Sequence, residues 1–284
     1  MTQQREYCAE VAAAEGAALA GTADVVDVWI MLEYLPAWTT KATTDNALAS
    51  ATRDWLSALA QAAVARGLKP RLQLIRRPEL DRRGVTLMIG ADAALHRVQA
   101  TDYQGLCELT LADVLAHPPL PARQYFVCTN GQRDLCCSRF GLPTYAALRE
   151  RVGERVWQTT HVGGHRFAPN VLTLPQAAMY GRVQPTDVAQ FVTAIEDDRL
   201  AAQWLRGRTR HPPEVQAAEA HLAAREINTS GAVTTQTRSD GSVRIAFGHS
   251  AAVVRPGVAA LVLSSCGDTQ RKKVAPWVVS LDGA

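Results

Sequence analysis

The chain has 284 residues, enough for one large or two modest domains with real cores. Apolar residues make up 47% and charged residues 20%, the balance of an ordinary soluble globular protein. A formal net charge of +3, with the arginines spread along the chain, gives no reason to expect a nucleic-acid partner.

The opening MTQQREYCAE lacks the basic-then-apolar pattern of a signal peptide. No apolar run approaches the ~18 residues needed to span a bilayer. The expectation is a cytoplasmic protein with no membrane partner. Six cysteines in such a compartment read as thiols or ligands, not as a disulfide framework.

In chain order, VAAAEGAALAG within 1–24 predicts a short helix or a loosely fixed lead, with Cys8 as a structural or exposed thiol. VVDVWIMLEY is apolar, β-branched and aromatic, which predicts a buried strand. Over 45–66, Leu48, Trp55, Leu59 and Ala63 recur on a helical period, with Asp45 as N-cap and Gly67 as stop. Strands follow at 71–77, 85–90 and 96–102, then a short helix at 109–117.

The same order returns from 123. QYFVC is a strand, 142–152 a helix, 156–162, 170–175 and 178–183 strands, and 185–198 a helix capped by Thr186. This is a thioredoxin-like βαβ–ββα order, so the expected class is α/β with two tandem thioredoxin-like units. The expected division is 1–120, 121–206 and a C-terminal helix-plus-sheet extension at 207–284. RGRTRHPP at 206–213 is polar and proline-containing and marks the last boundary. The extension contains a helix at EVQAAEAHLAARE, a hairpin turning at Asp240-Gly241, and strands at AALVLSSC and APWVVSLD. RRPELDRRG at 76–84 reads as a solvated loop or a docking patch.

Soft-metal donors concentrate between 125 and 183. Eight residues separate Cys128 from Cys137, twenty-three separate Cys137 from His161, and Val162, Gly163 and Gly164 lie between His161 and His165. Thiolate with imidazole suits zinc, copper or an iron–sulfur cluster, not magnesium or calcium. Zinc sites usually pair ligands two to four residues apart, so the eight-residue gap calls for a longer loop. The two glycines oppose a helix and place the histidines on a loop. Spacing by itself leaves ordinary core and surface residues open as an explanation.

The run CTNGQRDLCC, then HVGGHRFAPN, then YGRV resembles the sucrase/ferredoxin-like family of thioredoxin-like 2Fe–2S proteins. GTA at 21–23, LEYLPAW at 32–38 and SSCG at 264–267 extend the resemblance, while Asn130 and Pro169 depart from the family's usual residues. The resemblance implies a 2Fe–2S cluster on Cys128, Cys137, His161 and His165, and one-electron transfer. Register with the family favours Cys137 over its neighbour Cys136, which stays a spare ligand, with Cys266 an outside candidate.

In that site the cysteines bind as thiolates and the histidines as neutral imidazoles. Two imidazoles in place of two thiolates ease reduction, and a histidine ligand makes the potential pH-dependent. Arg133, Arg139 and Arg166 read as solvated loop residues or as charges that dock an acidic partner. Asp134 is expected to pair with an arginine or accept loop N–H groups, and Asn170 to bond the loop. No nucleotide or flavin fingerprint occurs, so the expected partners are a separate reductase as electron donor and an unidentified acceptor. The competing readings are a thioredoxin-type thiol oxidoreductase, which would use Cys136 with Cys137 or Cys128, and a structural zinc site in an interaction protein.

Overall fold

A computed structural model describes residues 6–80 and 84–283. Helix α1 covers Cys8–Ala14 and strand β1 covers Val28–Glu33. Then come α2 (Ser50–Ala65), β2 (Pro70–Arg76), β3 (Val85–Ala91), β4 (Ala94–Ala100), α3 (Tyr103–Cys107) and α4 (Leu111–Ala116). The second half holds β5 (Gln124–Cys128), α5 (Leu135–Val152), β6 (Val156–Thr159), β7 (Val171–Leu174), β8 (Ala178–Tyr180) and α6 (Val188–Glu196). Strand β9 (Leu205–Arg208) and helix α7 (Pro213–Ala223) follow. The chain closes with β10 (Val233–Thr237), β11 (Val243–Phe247), β12 (Ser250–Pro256), β13 (Ala260–Val262), β14 (Lys272–Val274) and β15 (Trp277–Leu281).

The fold is α/β around a nine-stranded sheet ordered β4-β3-β1-β2-β6-β5-β7-β8-β9. The order contains one pattern twice. In the first half β1 pairs parallel with β2 and antiparallel with β3, which pairs with β4. In the second half β5 pairs parallel with β6 and antiparallel with β7, which pairs with β8. Both are the thioredoxin-like order. A short antiparallel join, Ile75 to Thr159 and Arg76 to Gln158, fuses them.

The pleat sorts the side chains. In β1, Val28, Ile30 and Leu32 pack under α2 with Trp55 and Leu59, while Trp29 and Met31 face the opposite way. In β5, Tyr125 and Val127 pack under α5 and α6, while Phe126 and Cys128 face the core that holds Trp29 and Met31. Successive residues on a strand point to opposite faces, so one alternating run serves two cores. Trp29 and Trp157 are each 1% exposed in the shared core. A buried aromatic of this kind removes roughly 150–250 Å² from water, worth about 4–6 kcal/mol at about 25 cal/mol per Å². The shared core therefore holds the two halves together far more strongly than the two-residue strand join.

Several helix ends differ from expectation. Helix α2 starts after Ala49, not at Asp45, because Asp45 N–H closes a turn on Lys41 and Asn46 Oδ1 takes the Leu48 N–H. Gly67, at φ +74, ends it as expected. Helix α6 is preceded by a 3-10 turn at Pro185–Asp187 whose reciprocal cap is Gln184 with Asp187, not Thr186. Helix α5 begins seven residues before the expected 142 and carries Pro143 in its interior. Asp134 caps it through the Cys136 N–H at 2.9 Å. That capped first turn, buried at Cys136 and Cys137, outweighs the local cost of an interior proline.

The 76–84 stretch is only in part a solvated loop. Arg77 is 3% exposed, with its guanidinium 3.5 Å from the Trp157 ring centroid, and Arg76 lies over Trp38. Arg82 and Arg83, on which the docking-patch expectation also rests, lie outside the described residues. The C-terminal part packs α7 against the sheet β10-β11-β12-β15, and β13 pairs with β14 as a separate hairpin. Among the described residues no helix is long and apolar enough to cross a membrane.

Candidate metal centre

Cys128 is the last residue of β5 and Cys137 lies in the first turn of α5, so a strand end and a helix start deliver the two thiols. They meet because Gly141 lets the helix press against the strand. A Cβ at Gly141 would lie 2.2 Å from the Cys128 carbonyl oxygen. Both thiols are buried, at 1% and 0% exposure. The longer loop expected across the eight-residue gap ends at Asp134, because Cys137 already lies in α5.

His161 follows β6, and its ring Nδ1 lies 3.9 Å from Cys128 Sγ and 3.7 Å from Cys137 Sγ. Donor atoms of Cys128, Cys137 and His161 all fall within 4.8 Å of one another. His165 starts a short 3-10 turn, and its ring stacks on that of His161 at a centroid distance of 4.7 Å. The close trio does not include His165. Its Nδ1 is buried without a hydrogen-bond partner and stands 3.9 Å from Asp134 Oδ2. All four expected donors thus converge on one place, three tightly and the fourth alongside.

The electrostatics favour the cation-binding form at Cys128 and His165, whereas Cys137 must give up its proton to ligate. A hydrogen bond from Cys137, with His161 beside it, holds the Cys128 thiol well below its ordinary pKa. The same hydrogen bond, with burial, pushes Cys137 well up. Burial, aided by the His161 charge, lowers His165 to about 4, which leaves a neutral imidazole near pH 7.

The first half of the chain contributes directly. From β2, Arg71 and Gln73 donate to the His161 carbonyl at 3.0 and 3.3 Å. The Thr160 hydroxyl accepts the Leu74 N–H and donates to Gln73 Oε1. From β9, Arg206 donates to Gly163 O and Asn170 Oδ1, both at 2.9 Å, and to Thr22 O at 2.6 Å. Asn170 in turn donates to Gly164 O at 3.0 Å, as expected of it. Gly164 sits at φ +69, and a Cβ there would meet Arg206 at 2.4 Å. The glycine pair therefore lets the histidine loop close over a buried arginine.

Arg206 was missed because RGRTR reads locally as a polar boundary. It is 1% exposed, on a strand that edges the large sheet. Of the two expectations for Cys8, a structural or an exposed thiol, the buried one holds: it is fully buried, with its sulfur 3.6 Å from Cys136 Sγ. Cys136 therefore turns away from Cys137, toward Cys8 and Cys266. Among the described residues Asp134 pairs with no arginine; it accepts the N–H groups of Cys136 and Cys266. Among the flanking arginines, Arg139 and Arg166 lie over the Tyr7 and Phe167 rings.

The sucrase/ferredoxin-like family model matches residues 19–207, more than half of the chain and every residue of the centre. The chain belongs to the sucrase/ferredoxin-like family. This family member is 33% identical over 94 residues to Altered inheritance of mitochondria protein 32 of Meyerozyma guilliermondii, covering 28% of the chain and 33% of that protein. The chain thus spans about a third of the length of the curated relative it matches. A thioredoxin-like 2Fe–2S ferredoxin from Aquifex aeolicus is 19% identical, with a TM-score of 0.26 over 29% of this chain and 88% of that one. A cysteine-to-serine variant of that ferredoxin is also 19% identical, with a TM-score of 0.27 over 30% and 97% of the two chains.

Proposed function

We propose that this protein is a one-electron carrier whose 2Fe–2S cluster is held by Cys128, Cys137, His161 and His165. The observation that carries the reading is the donor set: two buried thiols, an imidazole against them, and a second imidazole with an unpartnered buried nitrogen. An unpaired buried nitrogen costs about 1–3 kcal/mol, and ligation removes that cost. A bound cluster of this kind takes up and releases one electron.

The chain's own residues prepare the site. Helix α5 directs its N-terminal N–H groups toward the sulfur region and stabilises thiolate charge. Burial keeps His165 neutral and ready to ligate. The two histidines form the partly exposed edge of the centre, whereas the cysteines are sealed inside. A redox partner would exchange electrons across that edge. The partners are a separate reductase and an acceptor, working in the cytoplasm.

Anaerobic purification should give a red-brown protein with iron and sulfide in equal amounts and an EPR signal on reduction. His161→Cys and His165→Cys should keep a cluster at a lower potential. A colourless protein without sulfide would overturn the reading. One observation favours a second reading, a single zinc ion on Cys128, Cys137 and His161: their donor atoms lie at one-ion spacing without His165. Zinc without sulfide, lost in Cys128→Ser, would establish it.

A further inference from the structure

Across the first turn of α5 from the Cys–His centre lies a second group of donors: Cys8, Cys136, Cys266 and Asp134, with one donor atom of each within 4.8 Å of the rest. Cys136 and Cys137 are consecutive on a helix, so their side chains point about 100° apart and serve different places. The sulfur separations are 3.6 Å for Cys8–Cys136, 3.2 Å for Cys136–Cys266 and 3.7 Å for Cys266–Cys8. Asp134 Oδ1 is 3.8 Å from Cys8 Sγ. A tetrahedral ion with bonds of about 2.3 Å to sulfur separates its sulfurs by about 3.8 Å. A disulfide needs about 2.05 Å between sulfurs. The observed triangle is far too wide for a bond and close to the face of a one-ion tetrahedron.

We infer that Cys8, Cys136, Cys266 and Asp134 form a second metal site, which takes a single soft divalent cation of the zinc class. Three sulfur donors exclude magnesium and calcium. The triangle is too tight for a multi-iron cluster, whose thiolates sit on different irons. Asp134 is the fourth donor, and it is held before any ion arrives. Its Oδ1 accepts the Cys136 N–H at 2.9 Å, and its Oδ2 accepts the Cys266 N–H at 2.9 Å and the Ser265 hydroxyl at 2.8 Å. Oδ1 retains a lone pair on the Cys8 side. Hydrogen bonds of this kind orient a ligand for its metal.

The donors come from α1, the start of α5 and the segment between β13 and β14. In sequence, Cys136 stands 128 residues from Cys8 and 130 from Cys266. One ion would therefore clamp both ends of the chain onto the helix that carries Cys137. The apolar packing around these cysteines is small, chiefly Ala9, Ala168 and partly buried Tyr7, Phe140 and Leu263. Such a corner gains most from a metal crosslink. The site uses no residue of the proposed cluster and stands whether or not that reading holds.

The test measures zinc and iron separately in the full chain, purified anaerobically. Wild type should hold about one equivalent of zinc that Cys8→Ser and Cys266→Ser lose, with iron unchanged and Cys107→Ser matching wild type. Should the Cys8 and Cys266 variants fail to fold, the Cys128→Ser, Cys137→Ser double variant decides. Only the second site then remains, and cobalt should bind it at about one equivalent with thiolate-to-metal charge-transfer absorption. The site is refuted by zinc content that ignores Cys8 and Cys266, by the absence of both zinc and the cobalt band, or by a Cys136–Cys266 disulfide in the anaerobic protein.

Discussion

Replacing Arg206 with methionine sets two opposing effects against each other. The guanidinium donates to Gly163 O, Asn170 Oδ1, Thr22 O and Thr22 Oγ1, at 2.9, 2.9, 2.6 and 3.1 Å. Bonds from a charged donor contribute about 1.5–3 kcal/mol each, so four supply about 6 kcal/mol at the low end. Burial works the other way. It lowers the arginine pKa from 12.5 to about 10, and at about 1.4 kcal/mol per tenfold change this is a cost of about 3 kcal/mol. The bonds win, so Arg206→Met should lose about 3 kcal/mol and roughly 6–12 °C in Tm. Urea unfolding of the metal-free protein, followed by tryptophan fluorescence, measures the loss without a bound metal inflating it. Arg206→Lys keeps the charge but not the fork, and should fall between the two. Arg199→Ala, whose side chain is 62% exposed, is the control and should change stability by less than about 0.5 kcal/mol. A methionine variant as stable as wild type would mean that the burial cost dominates and that the arginine does not clamp the histidine loop.

Gly141→Ala places a Cβ 2.2 Å from the Cys128 carbonyl, and backbone cannot swing aside. The helix must retreat from the strand, costing about 1–3 kcal/mol and drawing Cys137 from Cys128. Iron content and urea midpoint should fall together; an alanine variant with full metal and stability would refute the close-approach argument. Glu219 has a fully buried side chain beside Arg208, and burial raises its pKa above the ordinary 4.5. The native state therefore holds its proton more tightly than the unfolded chain. The stability this gives is present below the ordinary value and is lost as pH rises through the raised one. Glu219→Gln should gain on wild type as pH rises across that window, read from urea midpoints at several pH values. A constant or shrinking difference would show that the Arg208 pair cancels the burial penalty.

The α/β class and the repeated strand–helix–strand order were legible because they depend on neighbours in sequence. VWIMLE and QYFVC are the nearly continuous apolar runs of strands buried on both faces, and 45–66 carries a helical period that backbone geometry enforces whatever surrounds it. The candidate donors were legible for the same reason: thiols and imidazoles at fixed spacing beside two glycines restrict the ions they could hold and the turn they occupy. Errors fell where a distant partner overrides the local pattern. Pro143 argues locally for a helix start near 142, yet the start is set by Asp134 and by the packing of Cys136 and Cys137. RGRTR looks like a solvated boundary until Gly163, Asn170 and Thr22 surround Arg206.

By itself, then, the sequence determined the elements, their order and the chemical kinds of donor. Only the tertiary structure decided which donors meet. Cys8 and Cys266 stand 258 residues apart, and no local rule relates them. Their contact follows from long-range packing of both chain ends on α5, where burying apolar surface offsets the entropy of closing so long a loop.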